Sequence, residues 1–319
     1  MKKSMVWLAA PLFCLVFLVS GVQANVLNFT DYRIHNLDSE SGRGMHRGIK
    51  NHRGRHKSKK KNRGKRICIV KLMGKTNHFG LDISQNPPEY IDYHATVPGV
   101  RVWISEYPFT RNLDIQTDET GWWTMYIIKY KDMDLEFSFI YEKEGWVTTK
   151  TNVITVTDED NLDLAIQYID PQYYYYVMKP AVEDMMKALG YPDFVFENAL
   201  VVTVGKSWAS MHDDRLPHGD PGAIAVLTPE LQGGIGPIYF NEAVQPDPSY
   251  DATSVDGGVT WLNLPLDQTC EVTAEKPGVE YESVRFNLEE SDVENGVELY
   301  ISSTPDSVQG DNDSPPGEY

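Results

Sequence analysis

The sequence predicts an all-β fold built as two tandem β-sandwiches joined by a short helix, and three observations predict it. The first is a repeat. One copy spans residues 67–172 and the other 199–303, and each opens on an apolar run ending in Gly-Lys, Ile67 to Lys75 and Ala199 to Lys206. A Pro-Gly step and a second strand follow, Pro98-Gly99-Val100-Arg101-Val102-Trp103-Ile104 and Pro221-Gly222-Ala223-Ile224-Ala225-Val226-Leu227. A third match sets Thr117-Asp118-Glu119-Thr120-Gly121-Trp122-Trp123-Thr124 against Thr253-Ser254-Val255-Asp256-Gly257-Gly258-Val259-Thr260. Matches in one order at domain length mean duplication. The second observation is period-2 alternation in segments such as Leu135 to Tyr141 and Cys270 to Ala274, the pattern of half-buried antiparallel strands. The third is regular punctuation by Gly and Pro, at Pro87-Pro88, Gly145, Pro277-Gly278 and Gly296 among others, which cuts the chain into short strands.

Taken in order, residues 1–24 read as a secretory signal: Lys2 and Lys3, an apolar stretch from Met5 to Val19, then Val22-Gln23-Ala24. The chain is therefore expected to be secreted or periplasmic. No later segment reaches the roughly 18 apolar residues of a transmembrane helix. Residues 25–66 form a polybasic arm. The 24 residues from Arg43 to Arg66 hold 12 Lys and Arg and no acid, with Arg53, Arg55, Lys57, Lys59, Lys60, Lys61, Arg63, Lys65 and Arg66 the densest part. The net charge of -17 hides this asymmetry, because 15 of 29 basic residues and only 3 of 46 acids precede residue 67, leaving about -29 on the remainder. So few apolar residues cannot offset ordering entropy, and the arm is expected to be disordered. Its charge suits an anionic polymer, an anionic surface or an acidic protein, with no sequence-specific nucleic-acid contact. Arg63-Gly64-Lys65-Arg66 also resembles a dibasic maturation site, which would make residues 25–66 a propeptide.

Each repeat is long enough for its own core. Cys68 and Cys270 alternate with apolar neighbours in different repeats, so two buried thiols are expected rather than a disulfide. Between the repeats, residues 173–198 form a helical linker. Val182, Met185, Met186 and Leu189 share a face, Pro180 stands near the start, and Gly190 and Pro192 close the segment, so the helix is expected from Met178 to Gly190. Tyr173, Tyr174, Tyr175 and Tyr176 just before it are a candidate partner-binding patch. The second repeat carries an insertion over residues 228–252, a place where loop-borne function gathers. Residues 304–319 read as a disordered acidic tail.

Four histidines lie beyond the arm, and each repeat holds two of them between its first anchors: His78 and His94, His212 and His218. With Asp92, Asp213 and Asp214 they make imidazole–carboxylate sets of the kind Zn²⁺, Cu²⁺ or Ni²⁺ accepts. The His spacings, sixteen and six residues, do not share one coordination geometry. The oxygen-rich segments Asp158 to Asp163 and Glu289 to Asp292 are Ca²⁺ candidates without an EF-hand pattern. No catalytic residues are expected. Gly74-Lys75-Thr76 and Gly205-Lys206-Ser207 lack the leading Gly of a phosphate loop, since Ile69 and Leu200 stand there, and no Gly-x-Ser-x-Gly elbow occurs.

The three anchors together resemble the carboxypeptidase regulatory-like domains, prealbumin-like (Ig-like) seven-stranded sandwiches. Thr117 to Thr124, with Gly121-Trp122, is similar to that family's Thr-x-x-x-Gly-aromatic hairpin, whereas the second repeat has Gly258 at the aromatic position. The resemblance covers about 200 of 319 residues and implies an accessory or binding role with no catalytic residues to carry over. The reading is a non-catalytic binding or assembly module with an acidic two-domain body and a polybasic arm. Its alternatives are a periplasmic transition-metal-binding protein using the paired His loops, and an enzyme with its site in the 228–252 insertion.

Overall fold

The computed structural model describes residues 18–19, 22–23, 26–28, 67–82, 89–158, 161–164, 166–206, 219–230 and 233–302. The densely basic residues 43–66 and the tail 304–319 lie outside the described residues. So does most of the signal segment, apart from the short strands β1 (Leu18–Val19) and β2 (Val22–Gln23). The head of the segment read as a disordered arm contains a strand, β3 (Val26–Asn28), because Val26 and Leu27 are apolar enough to add to a sheet.

Repeat 1 is made of β4 (Ile67–Asp82), β5 (Glu89–Thr96), β6 (Arg101–Ile104), β7 (Trp122–Tyr130), β8 (Leu135–Phe137), β9 (Phe139–Glu142), β10 (Thr149–Lys150), β11 (Ile154–Val156), β12 (Asn161–Asp163) and β13 (Gln167–Tyr168). Helix α1 (Gln172–Ala188) follows. Repeat 2 contains β14 (Ala199–Thr203), β15 (Ile224–Thr228), β16 (Ile235–Tyr239), β17 (Gly258–Leu262), β18 (Gln268–Glu275), β19 (Val284–Leu288), a short helix α2 (Glu290–Glu294) and β20 (Leu299–Ser302). In repeat 1 the sheet β12-β4-β7-β3 faces β6-β9-β10 across a core that includes Leu72, Trp123, Met125, Phe137 and Phe139. In repeat 2 the β16-β17-β14-β20 strands face β15-β18-β19 across Leu200, Val202, Trp261, Val272 and Phe286. Strand alternation produces both cores: β7 buries Trp123, Met125 and Ile127, and β18 buries Cys270, Val272 and Ala274.

The duplication is visible bond for bond. Thr117 Oγ1 accepts from Val100 N at 2.9 Å and donates to Val97 O at 2.7 Å. Thr253 Oγ1 does the same with Ala223 N at 2.9 Å and Asp220 O at 2.6 Å. Gly121 and Gly257 sit at φ 78° and 74°, and a Cβ there would lie 2.7 Å from Thr76 O and 2.6 Å from Val204 O. Only glycine fits that left-handed, closely approached position. The same bonds correct the first anchor. Thr76 and Val204 each donate N–H to the equivalent glycine carbonyl, so Gly74 corresponds to Val202 and the two Gly-Lys pairs are not equivalent. Gly74 has its own reason: it pairs with Trp123, whose indole lies 2.7 Å from where a Cβ would be, whereas Val202 pairs with the smaller Val259. At Gly258, where the aromatic is missing, the Phe240 ring fills the space instead, 2.8 Å from a hypothetical Cβ.

The linker helix differs from expectation. It begins at Gln172, takes in Tyr173 to Tyr176, and carries Pro180 inside rather than at its first turn. An internal proline costs a helix about 3 kcal/mol. Burial outweighs it: Tyr174 is buried, the Tyr175 ring meets Phe196 edge-on at 5.5 Å, and Val182 and Met186 pack with Phe194, Phe196, Ile238 and Leu262.

The two cysteines among the described residues are free and buried, Cys68 in the core of repeat 1 and Cys270 in that of repeat 2. Burial raises the pKa of Cys68 and pushes Cys270 up to about 12. Because the thiolate is the nucleophile, neither thiol should react with iodoacetamide in the native protein at pH 8, and both should react at once in guanidinium chloride, as read by intact-mass spectrometry.

Candidate functional site: the seam between the repeats

A late strand of each repeat pairs parallel with its first: β12, followed along the same strand by β13, with β4, and β20 with β14. In repeat 2 that closing strand has a second partner. The far edge of β20 pairs parallel with β10 of repeat 1, Thr149 opposite Leu299 and Lys150 opposite Tyr300, which fuses both repeats into one sheet ordered β16-β17-β14-β20-β10-β9-β6. Trp103 and Ile140 of repeat 1 consequently belong to the core of repeat 2.

The seam is closed by charge. Lys150 and Asp292 are 0 % and 1 % exposed, and Lys150 Nζ donates to both Asp292 oxygens at 2.8 and 2.9 Å. Asp292 also accepts from Tyr300 Oη at 3.0 Å, from the Glu289 amide at 3.0 Å and, at 3.5 Å, from Ser105 Oγ of repeat 1. Glu289 and Asp292 form the capping box of α2, so one carboxylate both starts that helix and holds the lysine of the other repeat. Beside them Glu106 accepts the Ser138 N–H at 2.8 Å, and burial raises its pKa. Burial also raises the Tyr300 hydroxyl, which therefore donates.

On the opposite face of the shared sheet, α1 covers the strands incompletely. A cavity of about 190 Å³ remains, floored by Val201, Thr203, Thr260 and Ile301 and walled by Tyr174, Tyr175 and Met178 of α1. Phe240, Val244 and Pro246, all from the 228–252 insertion, complete its rim.

The sequence-derived candidates fall in several places. His78 lies on β4 opposite Ala95 and its ring meets Trp146 edge-on at 5.2 Å; Asp92 is on β5 opposite Gly80, and His94 immediately precedes Ala95. The first histidine pair thus belongs to a hairpin rather than to a loop. His212, Asp213, Asp214 and His218 lie outside the described residues, as do Arg53, Arg55, Lys57, Lys59, Lys60, Lys61, Arg63, Lys65 and Arg66. Among the described residues no three His, Cys, Asp or Glu side chains converge as a metal site. Two of the carboxylates in the oxygen-rich segments hold lysines: Asp292 holds Lys150, and Asp158 pairs with the fully buried Lys129 at 2.5 Å while accepting the Asp132 N–H. Of the tyrosines, Tyr174 and Tyr175 turn toward the sheet, while Tyr173 and Tyr176 are 51 % and 62 % exposed. Lys150 and Asp292 had no motif to announce them; the available signal was a lysine at an inward position of a strand, between Thr149 and Thr151.

No family model matches the chain, and no curated protein matches it. Among solved structures, the shaft pilin SpaA from Lactobacillus rhamnosus GG aligns at 8 % identity over 75 % of this chain and 97 % of its own, with a TM-score of 0.20. A variant of the same pilin aligns at 9 % identity over the same shares, again with a TM-score of 0.20. No helix among the described residues is long and apolar enough to cross a membrane.

Removing one partner of a buried pair strands a charge, at a cost of about 3–5 kcal/mol, whereas replacing both with apolar groups is often neutral. Lys150→Met or Asp292→Leu alone should therefore lose about that much in urea unfolding, and the double variant should recover most of it. A second expectation concerns Asp256, whose burial pushes its pKa up to about 7 against one opposing hydrogen bond from the Gly258 amide. A raised folded pKa contributes stability that is complete below the unfolded value near 4 and is lost as pH rises through the folded value. The melting temperature should thus carry a downward component between pH 4 and 7.5, and Asp256→Asn should remove that component in thermal scans.

Proposed function

We propose that this chain is a non-catalytic binding or assembly module, secreted or periplasmic, whose rigid two-repeat body presents a polybasic arm to an anionic polymer, surface or acidic protein. The observation that carries the reading is the seam. Two small sandwiches on an ordinary linker move independently, but here a shared strand, a shared core and a buried ion pair tie them together. A body so fastened holds its surfaces at fixed spacing, the property an assembly or display module needs.

The finer assignment, to the carboxypeptidase regulatory-like domains, rests on the Thr117 and Thr253 hairpins and their matched hydrogen bonds. The arm's part in binding rests on its charge, opposite in sign to that of the body. Tyr173 and Tyr176, both exposed on the first turns of α1, offer aromatic contacts to a protein partner.

Binding of the purified protein to immobilised heparin, as a model polyanion, tests the arm. Affinity should fall steeply between 50 and 300 mM NaCl, and replacing Lys59, Lys60 and Lys61 by Gln should weaken it several-fold without changing the melting temperature. Retention unaffected by either change would remove the arm from the binding role.

A further inference from the structure

The cavity beneath α1 has features that packing alone does not account for. The strand run Ala199-Leu200-Val201-Val202-Thr203 is apolar on both faces: Leu200 and Val202 enter the core of repeat 2, while Ala199 and Val201 face the other way, toward the cavity. A sheet apolar on both sides requires cover on both. The 17 residues of α1 supply it over Ala199 and Leu262, where Val182 and Met186 pack, but leave Val201 and Ile301 half-buried beneath an opening. Thr260, 3 % exposed, also lines this cavity, and its hydroxyl is buried with no hydrogen-bond partner among the described residues. An unsatisfied buried hydroxyl costs about 1–3 kcal/mol, which a bound group able to hydrogen-bond would recover.

We infer that this cavity is a binding site for a small neutral amphiphile, an apolar chain or ring bearing one hydroxyl or carbonyl group, of the fatty-alcohol or monoacyl-ester class. Its volume of about 190 Å³ compares with the roughly 150 Å³ of an engineered apolar cavity that stays dry and takes up benzene. About eight heavy atoms fit inside, and a longer chain leaves through the open side. The polar group of the ligand meets Thr260, and the chain lies along Val201 and Ile301 under Tyr174, Tyr175 and Met178. A free carboxylate is disfavoured, because Asp170 also lines the cavity and the body around it carries an excess of acids. The 228–252 insertion acquires a role here: Phe240, Val244 and Pro246 form the wall that repeat 1 has no counterpart for.

Titration of the purified protein with 1-octanol, octanoate and toluene, followed by methyl NMR, tests the inference. Saturable shifts centred on Val201 and Ile301 are expected with 1-octanol, at an affinity at least tenfold above that for octanoate. Val201→Trp, which fills the cavity, should abolish them. Thr260→Val, close in shape and free of the unsatisfied hydroxyl, should weaken 1-octanol about fivefold while leaving toluene unchanged, and it keeps the test valid if the tryptophan variant fails to fold. Absence of saturable binding, equal affinity for octanoate, or octanol binding indifferent to Thr260→Val would overturn the assignment.

Discussion

Everything distinctive in this protein depends on β20 using both of its edges. In repeat 1 the equivalent strand, β12, has β4 as its one partner among the described residues. In repeat 2 the same strand pairs with β14 on one side and β10 on the other. That single extra pairing places Lys150 opposite Tyr300, brings Lys150 within reach of Asp292, and carries Trp103 and Ile140 into the neighbouring core. It also creates the extended surface that α1 only partly covers. The seam and the cavity are two faces of one sheet.

The polar chemistry of the seam follows from that geometry. β10 is two residues long and both are fully buried, so Lys150 has no route for its ammonium to reach water. An unpaired charge in that position would be intolerable. Asp292, fixed by its capping role in α2 and by Tyr300, offers a carboxylate whose hydrogen bonds are nearly all accounted for. Arrangements of this kind add little net stability, yet they penalise every alternative docking of the two repeats in which the charges miss each other.

Much of the fold was legible in the sequence, and the reasons are local. Alternation in β7 and β18 and the Thr-to-Gly hairpins are short-range signals fixed by sterics and turn geometry, and they identify sandwich strands directly. The Gly-Lys anchor misled because an apolar run ahead of a glycine carries no register; only the hydrogen bonds of Thr76 and Val204 set the true equivalence. The start of α1 was missed because Pro180 looks like a first-turn residue, and its interior position is sustained by Tyr174 and Tyr175 packing far away in sequence. Lys150 and Asp292 stand 142 residues apart. No periodicity spans such a distance, so the seam, and with it the candidate site, was beyond reach of pattern reading.

The position of β20 along the chain has a consequence for how the molecule comes into being. Residues 299–302 are synthesised after every other strand of both repeats. Until they arrive, β14 and β10 each present an unpaired edge, the feature through which β-proteins join unrelated chains. Both edges are short, at five and two residues, and they are quenched by the same four-residue strand. Completion of the chain therefore converts two separately collapsing units into one cooperative body in a single late step, and a product stopped short of Leu299 would retain both adhesive edges and a lysine, Lys150, without the strand that lies opposite it.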